Sequence, residues 1–263
     1  MAEIQSIDNL RKFHNWIKFQ LINQAKRETN GKYLLDVAVG RGGDIFKWAK
    51  NNIVYVTGID NNQQSIHEKI EFDGAIKRYN IIKTQMRVPR CYFWNISATD
   101  PDVLNKLNIK DRNTIYDIVS CQFSFHYFVK EMDTTLNMIS KKLKTGGVFI
   151  GTASDGDSIS EILKTGNIET PILKIEKINE ESYNYILMPG KTSRTTYFEF
   201  RGSLPEYNLC KDSMIQTCKK YDLELVRMLN FHEWKEVYHG HLSNHEMEAS
   251  FLNFSFIFKK VIS

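Results

Sequence analysis

Two apolar periods alternate along this chain, and the order of that alternation is its most informative property. From Asp8 to about Lys26, Phe13, Trp16, Ile17 and Leu21 share one stripe at helical spacing, which predicts an amphipathic helix capped by Asp8. Tyr33–Val39 is a nearly continuous apolar run, read as a buried strand, and a helix is expected over about Asp44–Asn51. Further strands are predicted at Val54–Asp60, Arg90–Trp94, Ile115–Ser120 and Val148–Ala153. Between them come a helix reaching about Tyr79, a short helix begun by Pro101, and a helix over about Lys130–Lys144 that Gly146-Gly147 would stop. This strand–helix order builds a mainly parallel sheet with helices on both faces.

The rhythm changes after Gly151. Ile172–Ile178, Tyr183–Met188 and Thr195–Arg201 read as short antiparallel strands, with a Pro189-Gly190 turn between the last two. They predict a small antiparallel insertion, about 154–205, lying over the ligand face. A helix at about Asn208–Lys220 and strands at Leu223–Phe231 and Phe251–Val261 then close the pattern. No repeat or low-complexity linker divides the chain, so 1–263 is expected to be one domain.

Composition changes this picture little. The 263 residues are 42% hydrophobic and 25% charged, ordinary for a globular protein with a proper core, and the net charge of +4 permits a polyanionic partner without requiring one. Five basic residues and no acid lie between Ile76 and Arg90 (Lys77, Arg78, Lys83, Arg87, Arg90), a run that is either a solvated face or a phosphate contact. Cys91, Cys121, Cys210 and Cys218 show neither metal-ligand spacing nor a disulfide framework, and there is no signal peptide or membrane-length apolar run. A soluble, intracellular protein in a reducing compartment is expected. His232, His239, His241 and His245 fit no zinc pattern, and their segment is read as a solvated insert; no metal is expected.

The chemistry concentrates in two segments. In YLLDVAVGRGGDIFKW (33–48) a strand carrying Asp36 runs into the turn Gly40-Arg41-Gly42-Gly43, and the next strand ends at Asp60. That is the opening of a Rossmann-like βαβ unit, in which a carboxylate after the second strand grips ribose hydroxyls. Asp44 at the helix start would repel a diphosphate, so Asp36 and Asp44 suit a cofactor with ammonium and sulfonium groups, namely S-adenosyl-L-methionine; the bland alternative makes Asp44 an N-cap. In VSCQFSFHY (119–127), Gln122 and Phe123 stand at a strand's carboxyl end where they can meet an adenine. His126 and Tyr127 follow one helical step later, placed to face a second substrate. Phe125 and Phe128 are read as packing residues.

These motifs together resemble the messenger RNA cap guanine-N7 methyltransferases, in particular the methyltransferase domains of large-DNA-virus capping enzymes. HNWIK (14–18) is similar to the family's Asn-Asn-Trp-Ile-Lys, GRGGDIFKW (40–48) to its Gly-Lys-Gly-Gly-Asp-Leu-x-Lys-Trp, and QFSFHY (122–127) to its Gln-Phe-x-x-His-Tyr. LPEY (204–207) resembles Val-Pro-Glu-Phe, and EMEASF (246–251) closes the series in the family's order. The resemblance implies a class I S-adenosylmethionine-dependent methyltransferase fold and methyl transfer to guanine N7 of a GpppN cap. It implies cofactor contacts from Lys18, Asp36, Ala38, Gly40, Asp60, Asn61, Asn95, Ile96, Gln122 and Phe123. It implies a cap pocket of Asn15, Arg41, His126, Tyr127 and Glu206, with residues 1–30 as a helical cap-binding segment. Glu206 would accept from guanine's N1–H and exocyclic amine; without the resemblance it would read as a residue at a helix start after Pro205. Partners implied are capped RNA and covalently linked triphosphatase and guanylyltransferase domains, and the compartment would be cytoplasmic for a cytoplasmic virus.

Three positions depart from the family pattern: Ala38-Val39 for Gly-Cys, Asn95 for an Asp that meets the adenine amine, and Asn253 for a late aromatic. They predict weaker cofactor or cap binding. Guanine N7 carries a lone pair and no proton, so no general base is expected; alignment by Tyr127, His126 and Glu206 would suffice. Competing readings are a methyltransferase of another RNA or nucleoside, and a non-catalytic subunit that keeps the fold.

Overall fold

The computed structural model describes residues 7–67, 73–187 and 205–261. Its main sheet has seven strands in the order β10-β11-β5-β4-β1-β2-β3. Strands β1 (Tyr33–Val37), β2 (Tyr55–Asp60), β3 (Arg90–Asn95), β4 (Tyr116–Gln122) and β5 (Leu143–Ser154) pair in parallel. A second sheet is antiparallel, with β6 (Ile168–Glu169), β7 (Leu173–Asn179), β8 (Ser182–Leu187) and β9 (Pro205–Tyr207). Strands β10 (Leu223–Asn230) and β11 (Asn253–Lys260) complete the first sheet, β11 running antiparallel to both neighbours. The chain reverses direction of travel between β1 and β4, which lie side by side, so their carboxyl ends bound the ligand crevice of such folds.

Both faces of the main sheet are covered. Helix α1 (Asp8–Thr29) turns Phe13, Ile17, Leu21 and Ile22 onto one face, with helix α2 (Ile45–Lys50) beside it. The other face carries Leu35, Val37, Val119 and the period-two set Phe254, Phe256 and Phe258, whose rings meet Phe149 and Phe125. A third apolar cluster joins Ile7, at the cap of α1, and Leu10 of α1 to Ile175 and Tyr183 of the small sheet. The amino end of α1 therefore clamps the small sheet while its middle covers the large one.

Several expectations need correction. Asp8 is the first helical residue and Ile7 holds the cap position; the carboxylate favours the helix through its dipole. The Gly146-Gly147 pair does not stop a helix. That helix ends at Lys142 and β5 starts at Leu143, because a Cβ on Gly147 would lie 2.8 Å from the Asp117 carbonyl of β4. The segment to Tyr79 is two helices, Gln63–His67 and Ala75–Gln85, on either side of 68–72. A helix at Gly156–Leu163 was not anticipated. The histidine-rich stretch is no solvated insert: it forms helices Phe231–Lys235 and Asn244–Ser250, buries Phe231, Trp234 and Leu242, and joins α1 through Glu246, which accepts from Leu10 N at 2.9 Å. Thr195–Arg201, the Pro189-Gly190 turn, Met188 and Leu204 lie outside the described residues.

Beneath the sheet, Lys142 and Asp111 form a buried ion pair, with nitrogen–oxygen distances of 2.8 and 3.0 Å. Asn108 Oδ1 accepts from the same ammonium at 2.9 Å, and the Tyr116 hydroxyl donates to Asp111 at 2.8 Å. Removing one partner strands the other charge in the core. Asp111→Ala is expected to lower unfolding free energy by about 3–5 kcal/mol in urea titration; a loss near zero would mean that water reaches Lys142.

Candidate active site

The glycine turn after β1 is held by a carboxylate from β2. Asp60 accepts from Gly40 N through one oxygen and from Asn62 N through the other, both at 2.8 Å. Burial raises its pKa, and the two backbone N–H donors partly offset the rise. This leaves each carboxylate oxygen with lone pairs facing a narrow groove lined by Ala38, Asp60, Asn61 and Ile96, with Ser97, Ala98 and Phe128. Asn95 donates its amide to Asp60 O at 3.0 Å, which orients its carbonyl oxygen outward from β3. Ala38 adopts φ of +60°, a conformation natural to the glycine it replaces.

Asp36 lies between Gly58 and Ser120 in the ladder and is almost wholly buried. Burial, reinforced by the neighbouring Asp44 charge, pushes its carboxyl well above the usual range, against the pull of Lys18 and the Ser120 hydroxyl. Asp44 differs: burial would raise it too, but the ammonium groups of Lys18 and Lys47, each 2.8 Å from Oδ1, hold it below the usual range. Asp44 thus joins two lysines in one node, and its side chain makes no cap bond to α2. With two lysines on one aspartate, the node has an excess positive charge beside Asp36. That pairing of signs fits the carboxylate and ammonium of an amino-acid moiety.

The second cluster forms where the small sheet meets the large one. Glu206 on β9 is 2% exposed and sits opposite Tyr183 in the β8 ladder, a strand where a helix start had been the alternative. Ser154 at the end of β5 donates its hydroxyl to Glu206 Oε2 at 2.7 Å, and Tyr127 donates to Oε1 at 3.3 Å. Burial lifts the Glu206 carboxyl to about 7 despite these hydrogen bonds. His126 Nδ1 accepts from Ser154 N at 3.2 Å, which places the ring proton on Nε2, 3.6 Å from Glu206 Oε1. Burial drives the His126 pKa down to about 3, so the ring is a neutral donor.

Gln122 is fixed at the end of β4 by Ser120 and Thr152, at 3.1 and 3.2 Å. Phe123 has φ of +55° and stacks on His14 at 5.0 Å between ring centroids, with Phe231 edge-on at 5.9 Å. Its ring belongs to the α1 side, where His14 also bonds Ser250 at 2.9 Å. Arg41 is half-buried in the glycine turn. Asn15 is exposed and its side-chain oxygen accepts from Lys47 at 2.8 Å. Asn253 uses its amide on the helix-end carbonyls of Ala249 and Ser250, at 3.2 and 3.1 Å, in register with Ser154. Ser154, Tyr183, Ser97 and Ala98 escaped the sequence reading, and Phe128, read as packing, lines the groove as well. A polar residue closing an apolar strand was the available signal for Ser154.

The sequence profile described as "mRNA (guanine-N(7))-methyltransferase domain" matches residues 2–251. The chain belongs to that family. An mRNA cap guanine-N(7) methyltransferase of Caenorhabditis briggsae is 30% identical over 239 residues, covering 85% of this chain and 60% of that protein. One from Arabidopsis thaliana is 29% identical, covering 98% and 76%. A "Probable mRNA-capping enzyme" of Acanthamoeba polyphaga mimivirus is 30% identical over 177 residues, 59% of this chain and 14% of that protein. The chain thus spans about three-fifths of the first of these relatives. Among solved structures, an S-adenosylmethionine-dependent methyltransferase of Clostridium acetobutylicum has a TM-score of 0.59 at 14% identity, covering 95% and 92% of the two chains. The N-methyltransferase NodS of Bradyrhizobium japonicum has a TM-score of 0.54 at 11% identity, covering 97% and 99%. The fold is that of class I methyltransferases, and this family's cofactor is S-adenosylmethionine.

Ala38 offers a direct check on the groove. In this methyltransferase-family chain, Ala38→Gly removes a left-handed alanine, worth about 1–2 kcal/mol of strain against about 0.4–1 kcal/mol of added chain entropy. Thermal denaturation should show equal or slightly higher stability, and calorimetry should show S-adenosylhomocysteine binding a few-fold tighter. Weaker binding would remove Ala38 from the groove floor.

Proposed function

We propose that this chain methylates guanine N7 of the GpppN cap of messenger RNA. The observation that carries the reading is Glu206: a buried carboxylate with one oxygen tied to Ser154 and the other approached by Tyr127 and His126. Guanine presents N1–H and an exocyclic amine side by side, with O6 next to them. Glu206 accepts from the first two, and His126 Nε2–H is the donor that suits O6. Adenine lacks both the donor pair and the carbonyl.

S-adenosylmethionine, when bound, supplies an electrophilic methyl group. Asp60 is the residue to hold its ribose hydroxyls, Asn61, Asn95 and Ile96 its adenosine side, and Asp36 with the Lys18–Asp44–Lys47 node its amino-acid end. Gln122 and Gly40 complete that side. The 3₁₀ segment Phe125–Glu131 links the halves, with Phe128 in the cofactor groove and His126 and Tyr127 at Glu206. The protein's contribution is alignment, which can account for roughly 7–11 kcal/mol of barrier, together with a carboxylate that stabilises positive charge developing on the purine. No side chain needs to remove a proton. Helix α1 supports this wall through His14, stacked on Phe123, and its Asn15 accepts from Lys47 of α2, whose ammonium also reaches the Gly43 carbonyl of the glycine turn. The reading extends to a methyltransferase portion of a large-DNA-virus capping enzyme with linked triphosphatase and guanylyltransferase domains; the partial likeness to a mimivirus mRNA-capping enzyme is in keeping with the viral part of it. Four free cysteines are in keeping with a reducing cytoplasm. None of the described helices is long and apolar enough to cross a membrane.

Glu206 tests the reading. Glu206→Ala should raise KM for capped RNA about ten- to a hundredfold, equivalent to roughly 1.5–3 kcal/mol, while S-adenosylhomocysteine affinity stays unchanged. The carboxylate form is the acceptor, so kcat/KM for the cap in the wild type should climb as pH rises through about 7. Glu206→Gln should abolish that rise. An unaltered kcat/KM in the alanine variant would sink the role.

A further inference from the structure

Far from Glu206, four aromatic rings form a continuous ladder across β1, β2 and β3. Tyr33 meets Tyr55 at 5.3 Å between centroids, Tyr55 meets Tyr92 at 5.7 Å, and Tyr92 lies parallel to Trp94 at 6.4 Å. Register explains the alignment: Tyr33 pairs with Tyr55, Tyr55 with Arg90, and Arg90, Tyr92 and Trp94 alternate onto the same face of β3. That strand is the edge of the sheet. The helix Val103–Asp111 covers this face only through Val103 and Leu107, leaving Tyr33 43% and Tyr92 41% exposed.

Cations predominate around the ladder, and Asp117, which accepts from Tyr33 N, is itself paired with Lys144. Between residues 75 and 116 there are eight Lys or Arg and three Asp. Of those aspartates, Asp111 is buried on Lys142 and Asp100 is paired with Lys106. Lys110 lies 5.0 Å from the Trp94 centroid, Arg90 shares the ring face, and exposed Arg112 follows the helix end. Trp94 Nε1 is a buried donor with no acceptor among the described residues. Filling a core does not require exposed rings in a row, and a purely solvated face does not present them beside exposed cations.

We propose that this face is a stacking platform for single-stranded RNA downstream of the cap, with Arg90, Lys110 and Arg112 meeting its phosphates. The proposal rests on the capped-RNA reading above. Aromatic stacking accepts any base, which suits an enzyme that must act on every transcript regardless of sequence. Trp94 precedes Asn95, which bonds Asp60, so the ladder begins beside the cofactor groove and descends toward the amino ends of the strands. The basic run 77–90 is therefore linked to this lower end through Arg90, rather than to the pocket at the strands' carboxyl ends.

The test is fluorescence anisotropy of the full chain with uncapped single-stranded RNA of about 15 nucleotides, near the upper site size of such platforms. Replacing both Tyr33 and Tyr92 with Ala should weaken binding roughly tenfold or more, whereas the double Phe variant should retain it. Arg90→Gln with Lys110→Gln should lower the salt slope by about 1.4, at about 0.7 per cation for single strands. KM for a capped RNA of that length should rise in the alanine variant, with KM for the GpppA dinucleotide unchanged. The dinucleotide assay separates this proposal from the methylation itself: transfer that fails on both substrates in the wild type overturns the function, not the platform. Wild-type RNA affinity in the double alanine variant, with unaltered thermal stability, would overturn the platform, including the case in which the face docks a protein.

Discussion

A carboxylate taken out of water must receive its hydrogen bonds from the protein, and Glu206 imposes that demand where two sheets meet. Ser154 from the large sheet, Tyr127 from the 3₁₀ segment after β4, and β9 from the small sheet all converge on it. Ser154 has a double task, because its backbone N–H also fixes the His126 tautomer. An incompletely paired buried carboxylate is costly, and burial does lift its pKa to about 7. The cluster is therefore poised toward a ligand that brings two adjacent donors. Guanine does so.

The cofactor half is arranged on the opposite principle. Its carboxylates are held in place before any ligand arrives: Asp44 is paired with Lys18 and Lys47, and Asp60 accepts from two backbone N–H groups. What remains is a slight positive excess next to buried Asp36. Such fixed dipoles and ions can hold a zwitterion without reorganising, which is how an alignment catalyst works best. The two halves are joined by one short 3₁₀ segment, so a shift in His126 or Tyr127 would also move Phe128 in the groove.

Local pattern revealed the βαβ order, the glycine turn and Asp60 because these depend on residues near one another in sequence. Long-range partners were hidden. Ser154 and Glu206 are joined across two sheets, and Lys18 reaches Asp44 from another helix; nothing in a local period announces either contact. Gly146-Gly147 misled because glycine serves helix ends and close backbone approaches equally well, and the nearby carbonyl of Asp117 decides between them. The histidine-rich stretch looked solvated because its few apolar residues are widely spaced, yet Phe231, Trp234 and Leu242 anchor it to α1. Asn15 was placed in the cap pocket by family resemblance alone; its side chain bonds Arg11 O and Lys47.

The central claim is that the Glu206 pocket presents guanine N7 to the cofactor groove. The most direct measurement is methyl transfer from S-adenosylmethionine to GpppA-capped RNA, with mass spectrometry locating the added methyl and with uncapped and N7-methylated RNAs as controls. The account predicts transfer to guanine N7 of the unmethylated cap and to neither control. Methyl found on any other atom, or on uncapped RNA, would contradict it.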